Sequence, residues 1–471
     1  MKFYIKSLYL FCAVAVLASC GDFGDLNVNP NAPTKVGTET LLTSAQRTVS
    51  SAVGAVSPEL FVQHMSEITY TEGSRYQDVI ADFNGWYTGA LANLQHIIDL
   101  NENPETAGEV LSGGSNANQI GVARIMKAYY FDILVQRWGP VPYSEALKGG
   151  SNLGPAYDSE ASIYADLFKE LEEAAAQLGS GAVAGDIILG GDTDEWKLFA
   201  NTLRAKIALR LSDVDEGTAK AQFTSAVNAG IFDRTVVYQY LEETANQNPW
   251  YGRFVTRQDF AISNTLYDFM IATNDDRLVN FADPANSSGE IVAMPYGLEN
   301  SDVAPADVSF PNSTYVRAQG VGIPIFSLAQ IEFMLAEAAA RGWISDDAEA
   351  HYNAAIAASM NQWGIDDQDA IDKFIAQDNV AYDAANWKES IGLQKWVALY
   401  NQGYDAWVNW RKLDFPVLQP AENPLNVSEQ IPLRNMYPES EATVNEENYK
   451  AILSTFGGAD SDGIRLYWDV N

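Results

Sequence analysis

The sequence predicts a mainly α-helical protein with a loop-rich part beside the helices. Three observations carry that expectation. Apolar residues recur three and four positions apart in segment after segment, and the period-two alternation of half-buried strands is scarce. Two long stretches, about 232–262 and 273–326, break the helical pattern with Asn, Asp, Gly, Pro and aromatic residues. Connections of that length in a folded domain carry function or short strands.

The amino end is read first. Lys2 and Lys6 flank an apolar run from Leu8 to Ala18, shorter than the roughly 20 residues that cross a bilayer, and this reads as an export signal. Leu17-Ala18-Ser19-Cys20 then resembles the lipobox of bacterial lipoproteins, in which the cysteine is acylated and becomes the first residue; ordinary cleavage near Ala18, leaving Cys20 a free thiol, is the alternative. Residues 1–19 are expected to be the signal peptide, 20–38 the lipidated end and a flexible tether, and 39–471 the globular part. The tether follows from the Asn, Asp, Gly and Pro of 21–33, which offer almost nothing to bury. The remaining cysteine, Cys12, falls within the signal run, so the mature chain has no internal disulfide.

Helical periodicity begins at Leu41, Leu42, Ala45, Val49, Ala52, Val53 and Val56, and Ser57 and Pro58 restart it as N-cap and first helical residue. Further helices are expected at about 84–100, 117–138, 159–178, 194–212, 218–229, 263–272, 327–342, 346–363, 388–403 and 443–453. The clearest has Thr193 as its cap, Asp194 and Glu195 at its positive end, and Trp196, Phe199, Leu203, Ile207 and Leu211 as one apolar stripe. A tetratricopeptide frame fits once and in part, through Leu335, Ala348, Tyr352 and Ala355, with Met360 where its closing proline belongs.

Composition excludes some functions. With 29 basic against 62 acidic residues the formal charge is −33, which argues against nucleic acid and against basic-patch adhesion to anionic lipid. No phosphate-cradling loop, serine-hydrolase elbow or dinucleotide fingerprint occurs, and no cofactor is expected. His64 with Glu67 and His96 with Asp99 share helical faces three apart, a spacing read as surface pairing, and no metal site is expected. The acidic runs at 213–217 and 460–463 lack the final glutamate of a calcium loop and read as solvated turns. A glycosidase needs only two carboxylates at the right separation, which 62 acids neither supply nor deny.

Aromatic residues make up 11% of the chain, and several stand in loop-like settings rather than in helical stripes, among them Trp86-Tyr87, Trp250-Tyr251, Tyr296 and Tyr315. Flat rings beside Asn, Asp and Arg suit the mixed faces of a sugar, or an extended peptide. The candidate ligand contacts on these grounds are Tyr70, Arg75, Trp86, Trp250, Tyr251 and Tyr296. No catalytic residue is assigned.

Several stretches together resemble one family. "ARIMKAYYFDILVQRWGPVPYSEAL" at 123–147, "FMLAEAAARGW" at 333–343, "QKWVALYNQGYDAWVNWRKLDFPVL" at 394–418 and "RNMYPESEATVNEENY" at 434–449, with the lipobox and "LNVNPNAPT", resemble the SusD/RagB family of outer-membrane nutrient-binding lipoproteins, in the family's order. The matching motifs are packing and turn signatures, so Cys20 alone carries over as a functional residue. The resemblance implies tetratricopeptide-like helix pairs beside a loop-rich ligand-binding part. It implies an outer-membrane, lipid-anchored and surface-exposed position. It further implies a SusC-like TonB-dependent barrel as partner, to which a captured oligosaccharide or peptide is delivered.

Overall fold

The computed structural model describes residues 36–470, so the signal run, Cys20 and most of the tether lie outside the described residues. The chain opens with α1 (Thr38–Arg47) and the short helices Val49–Val53 and Ser57–Phe61. Pro58 sits in the first turn of the last of these, where a missing N–H costs nothing, but Val56 rather than Ser57 takes the cap position. The turns of 84–91 lead into α2 (Ala92–Glu102), followed by α3 (Asn116–Trp138), α4 (Glu160–Gln177), α5 (Thr193–Arg210) and α6 (Glu216–Ala229). After the first irregular stretch comes α7 (Asn264–Ala272). After the second come α8 (Leu328–Ala340), α9 (Ala348–Gln362), α10 (Gln368–Ile375), α11 (Trp387–Ala398), α12 (Gly403–Leu413) and α13 (Glu446–Thr455).

Local chemistry starts most of these helices. Side-chain oxygens of Ser115, Ser159, Asp192, Asp215, Ser327, Asp347 and Asp367 each accept a backbone N–H from the first turn that follows. In α5 the cap is Asp192, accepting from Asp194 and Glu195, whereas the expected cap Thr193 is already helical and donates its hydroxyl to Gly179 O at 2.8 Å. The helix expected over 388–403 stops at Ala398 because the chain turns through Asn401 at φ 64°. It restarts at Gly403, where a Cβ would stand 2.8 Å from Pro58 and 2.9 Å from the Glu59 nitrogen, so only glycine lets α12 approach the Ser57–Phe61 helix.

Consecutive helices pack as pairs: α3 with α4, α5 with α6, α8 with α9, and α11 with α12. Contacts of α4 with α5 and of α8 with α11 chain the pairs together. The α8–α9 pair holds the residues of the tetratricopeptide frame, with Tyr352 and Ala355 buried against Phe333. The irregular stretches supply three strands. β1 (Met65–Glu67) pairs with β5 (Phe260–Ile262), β2 (Val141–Pro142) with β3 (Tyr157–Asp158), and β4 (Val236–Tyr238) with β6 (Ile323–Phe326), all antiparallel. The largest apolar cluster runs from Leu41 to Trp468, a second fills α8–α11, and a third, of Ile68, Ala261, Met294, Val308 and Phe310, lies under the loops beside β1 and β5.

Candidate functional site

The β1–β5 ladder is the foundation of the site. It ends at the Glu67–Phe260 pair, the Ile68 N–H donates to Asp259 O at 2.8 Å, and the chain then leaves as a loop over 68–76. Two reciprocal hydrogen bonds close that loop: the Glu67 N–H donates to Ser74 Oγ at 2.9 Å and the Ser74 N–H donates to Glu67 Oε2 at 2.8 Å. Gly73 lies so close that a Cβ would stand 2.7 Å from Glu67 Oε1. Burial pushes the Glu67 carboxyl up to about 7, against the opposing pull of the Ser74 and Gly73 N–H groups.

Two distant segments fasten to this loop. Arg75 Nε and Nη2 donate to Asn423 O at 2.9 and 2.7 Å, and the Ala421 N–H donates to the Tyr76 hydroxyl at 2.9 Å. The Glu422 N–H donates to Gly297 O at 3.1 Å, and Thr71 Oγ1 to Glu299 O at 3.3 Å. The result is a ledge on which Tyr70 stands 60% exposed, with the Arg257 guanidinium 4.7 Å from its ring centre. Asp259 pairs with Arg257 at 2.7 Å, and Asn423 Nδ2 donates to Glu299 Oε2 at 2.9 Å. An exposed ring flanked by a cation, carboxylates and an amide can stack on an apolar ligand face and bond its hydroxyl or amide edges.

The six sequence candidates separate sharply by burial. Tyr70 is the exposed ring, while Arg75 is a buried strut under the ledge and Tyr296 is half-buried with its hydroxyl donating to Leu60 O at 2.6 Å. Trp250 is fully buried, edge-on to Phe260 at 5.8 Å, so its ring packs the back of the ladder instead of facing a ligand. Tyr251 is half-buried on the same short helix, Pro249–Phe254. Trp86 belongs to different packing, 5.6 Å from Tyr130 of α3 and nearly covered. Tyr70, Arg75 and Tyr296 are therefore brought together, Trp250 supports them through Phe260, and Trp86 is not among them. Arg257, Asp259, Glu299 and Asn423 were missed; the alternation of Arg257 and Asp259 into β5 is the only signal the sequence held for them.

Histidines and acids take structural places. His64 is fully buried and bonds Glu59 Oε2 at 2.9 Å and Trp396 O at 3.0 Å, not Glu67. Asp215 caps α6, and Asp213 pairs with Arg341 at 2.8 Å. The second acidic run is no solvated turn: Asp460 pairs with the fully buried Arg434, and Asp462, also buried, accepts from Ser428 Oγ at 2.6 Å. Among the described residues no three His, Cys, Asp or Glu side chains are grouped to hold a metal, and no helix is long and apolar enough to cross a membrane.

The comparisons with known proteins bear on this geometry. A SusD-like family model, described as starch-binding associating with outer membrane, matches residues 30–438. Among solved structures, a chitin-binding protein is 27% identical, with a TM-score of 0.81 over 92% of this chain and 100% of its own. A SusD homolog from Bacteroides fragilis is 24% identical, with a TM-score of 0.80 over 92% and 100%. A chitin-binding SusD homolog from Flavobacterium johnsoniae is 22% identical, with a TM-score of 0.75 over 92% and 99%. No functionally curated protein matches the chain.

Proposed function

The chain belongs to the SusD-like family, and from that premise we propose that it is a non-catalytic lipoprotein of the outer membrane that captures glycans at the cell surface and hands them to a SusC-like TonB-dependent barrel. The observation that carries the glycan reading is the full-length likeness, at 27% identity, to a chitin-binding protein. Tyr70 and its polar neighbours supply the contact chemistry: the ring covers the apolar face of a sugar, and Arg257, Glu299 and Asn423 bond its hydroxyl or acetamido edges. Acylation at Cys20 and the tether through residue 38 anchor the body while leaving it free to reach the barrel.

A peptide reading has one observation in its favour. Tyr70 is the sole well-exposed ring among the six candidates, and a surface poor in stacked aromatics suits an extended backbone as well as a sugar. A binding screen of the purified protein against chitin-derived, plant, host and microbial glycans and mixed peptides separates the two, with reducing-sugar release followed in the same wells. Saturable glycan binding without release is expected. Binding confined to peptides would replace the cargo, and released sugar would make the protein an enzyme.

A further inference from the structure

Between the end of α7, the start of α11 and the chain that joins α10 to α11 lies a cleft of about 400 Å³, within the size range of small-ligand sites. Hydrogen bonds fasten the joining chain on three sides. Asn379 Nδ2 donates to Ala272 O of α7 at 2.9 Å, the Asp383 N–H donates to Ser390 Oγ of α11 at 3.1 Å, and the Tyr352 hydroxyl of α9 donates to Val380 O at 2.5 Å. No residue of the Tyr70 ledge lines the cleft.

Its lining carries one sign of charge. Asp378, Asp383 and Glu389 belong to it, and no Lys, Arg or His does. The carboxylates of Asp378 and Glu389 are exposed and meet no cation or hydrogen-bond donor among the described residues. Asp383 accepts from Asn386 Nδ2 and from the Ala385 N–H, both at 2.8 Å, and these bonds hold its carboxyl below the usual carboxylate range. Cations close by in the structure or the chain are already matched: Arg277 donates through Nε and Nη2 to Asp275 at 2.9 and 2.5 Å, and Lys388, next to Glu389, pairs with Asp213 at 3.7 Å.

A second feature of the lining asks for a ligand atom. Gln394 is 2% exposed, and its Oε1 accepts from Arg277 Nη2 at 3.3 Å, while its own N–H pair has no partner among the described residues. A buried donor left unmet costs free energy, so an acceptor brought into the cleft gains by meeting it. Phe269, Val380 and Leu393 give the same lining its apolar surface.

A cleft of one charge sign concentrates ligands of the other, without any single carboxylate having to meet the ligand's charge. Apolar surface beside a free amide donor suits a ring with an apolar face and hydroxyl edges. We propose that this cleft is a second ligand site, for an oligosaccharide with free amino groups. The carboxylates draw in its ammonium groups, Gln394 donates to a hydroxyl, and the ring face lies on the apolar lining. The site is separate from the ledge and stands whether or not the ledge takes glycans.

Calorimetric titration of the full protein at pH 5.5, where Asp and Glu remain ionised, tests it with triglucosamine, its neutral N-acetylated counterpart and trilysine. Triglucosamine is expected to bind at least about tenfold more tightly than the neutral trimer, the lower end of what a charged cleft achieves, and more tightly than trilysine, which brings ammonium groups without hydroxyls. Two variants separate a site from general attraction to an acidic chain. Asp378→Asn with Glu389→Gln removes the charges, and Ala381→Trp fills the cleft with its charges intact; all three positions are exposed, so the fold is kept. Each variant should abolish the preference, and Tyr70→Ala should leave it unchanged. Equal affinity for the two trimers, a preference that survives either variant, trilysine binding as tightly as triglucosamine, or a loss on Tyr70→Ala would overturn the assignment.

Discussion

Tyr70 and Trp250 are the same kind of residue to a reader of the sequence and opposite kinds in the fold. Tyr70→Ala removes an exposed ring, so the melting temperature should stay put while affinity for the captured glycan falls about tenfold in titration, the scale of one lost stacking contact. Trp250→Ala empties a fully buried site and should cost about 3–5 kcal/mol in denaturant unfolding. Two carboxyls give the protein a pH dependence. Burial pushes both Glu67 and Glu160 up to about 7, and Glu160 keeps only the Tyr467 N–H as a close partner, at 2.9 Å. Between the ordinary carboxylate range and pH 7 these groups hold protons in the fold that the unfolded chain has released, so stability falls as pH rises through that window and levels off above it. The depressed Glu170, Asp213 and Glu337 act at lower pH, where protonating them costs stability. The melting temperature should therefore be lower at pH 8 than at pH 5.5, and Glu160→Gln should shrink that difference; an unchanged profile in the variant would rule out Glu160 as a source.

At the scale of elements, the helices were legible because their signals are local. Caps such as Ser159 and Asp347 act within one turn, and apolar stripes need only the sequence's own spacing. α12 escaped because its reason to begin lies elsewhere: Gly403 is required by Pro58 and Glu59, more than three hundred positions away. What joins α8 to α12 was equally hidden. Glu337 is fully buried and meets Lys412 of α12, while Arg341 bonds it at 2.9 Å and carries the link to Asp213. Glu337→Gln keeps the shape and removes the charge that both cations face. It is expected to cost about 3–5 kcal/mol, the scale of breaking one partner of a buried ion pair, read as a lower denaturation midpoint.

The described residues share a core that begins at Leu41 and closes at Trp468, so the first and last of its elements are as central as those between. Trp468 is fully buried with the Arg411 guanidinium 4.8 Å from its ring, and Asp460 meets the buried Arg434. Ending the chain after Gly458 should therefore prevent folding, whereas the natural chain should unfold with coincident fluorescence and circular-dichroism transitions. The sequence by itself determined the helical class, most helix positions and the family resemblance, because these rest on periodicity, caps and segment order that neighbouring residues encode. Only the tertiary structure decided which aromatics face solvent and what the acidic run at 460–463 does. Burial is set by partners brought from far along the chain: Phe260 covers Trp250, Leu60 holds Tyr296, and Asn423 turns Arg75 into a strut under the exposed ring of Tyr70.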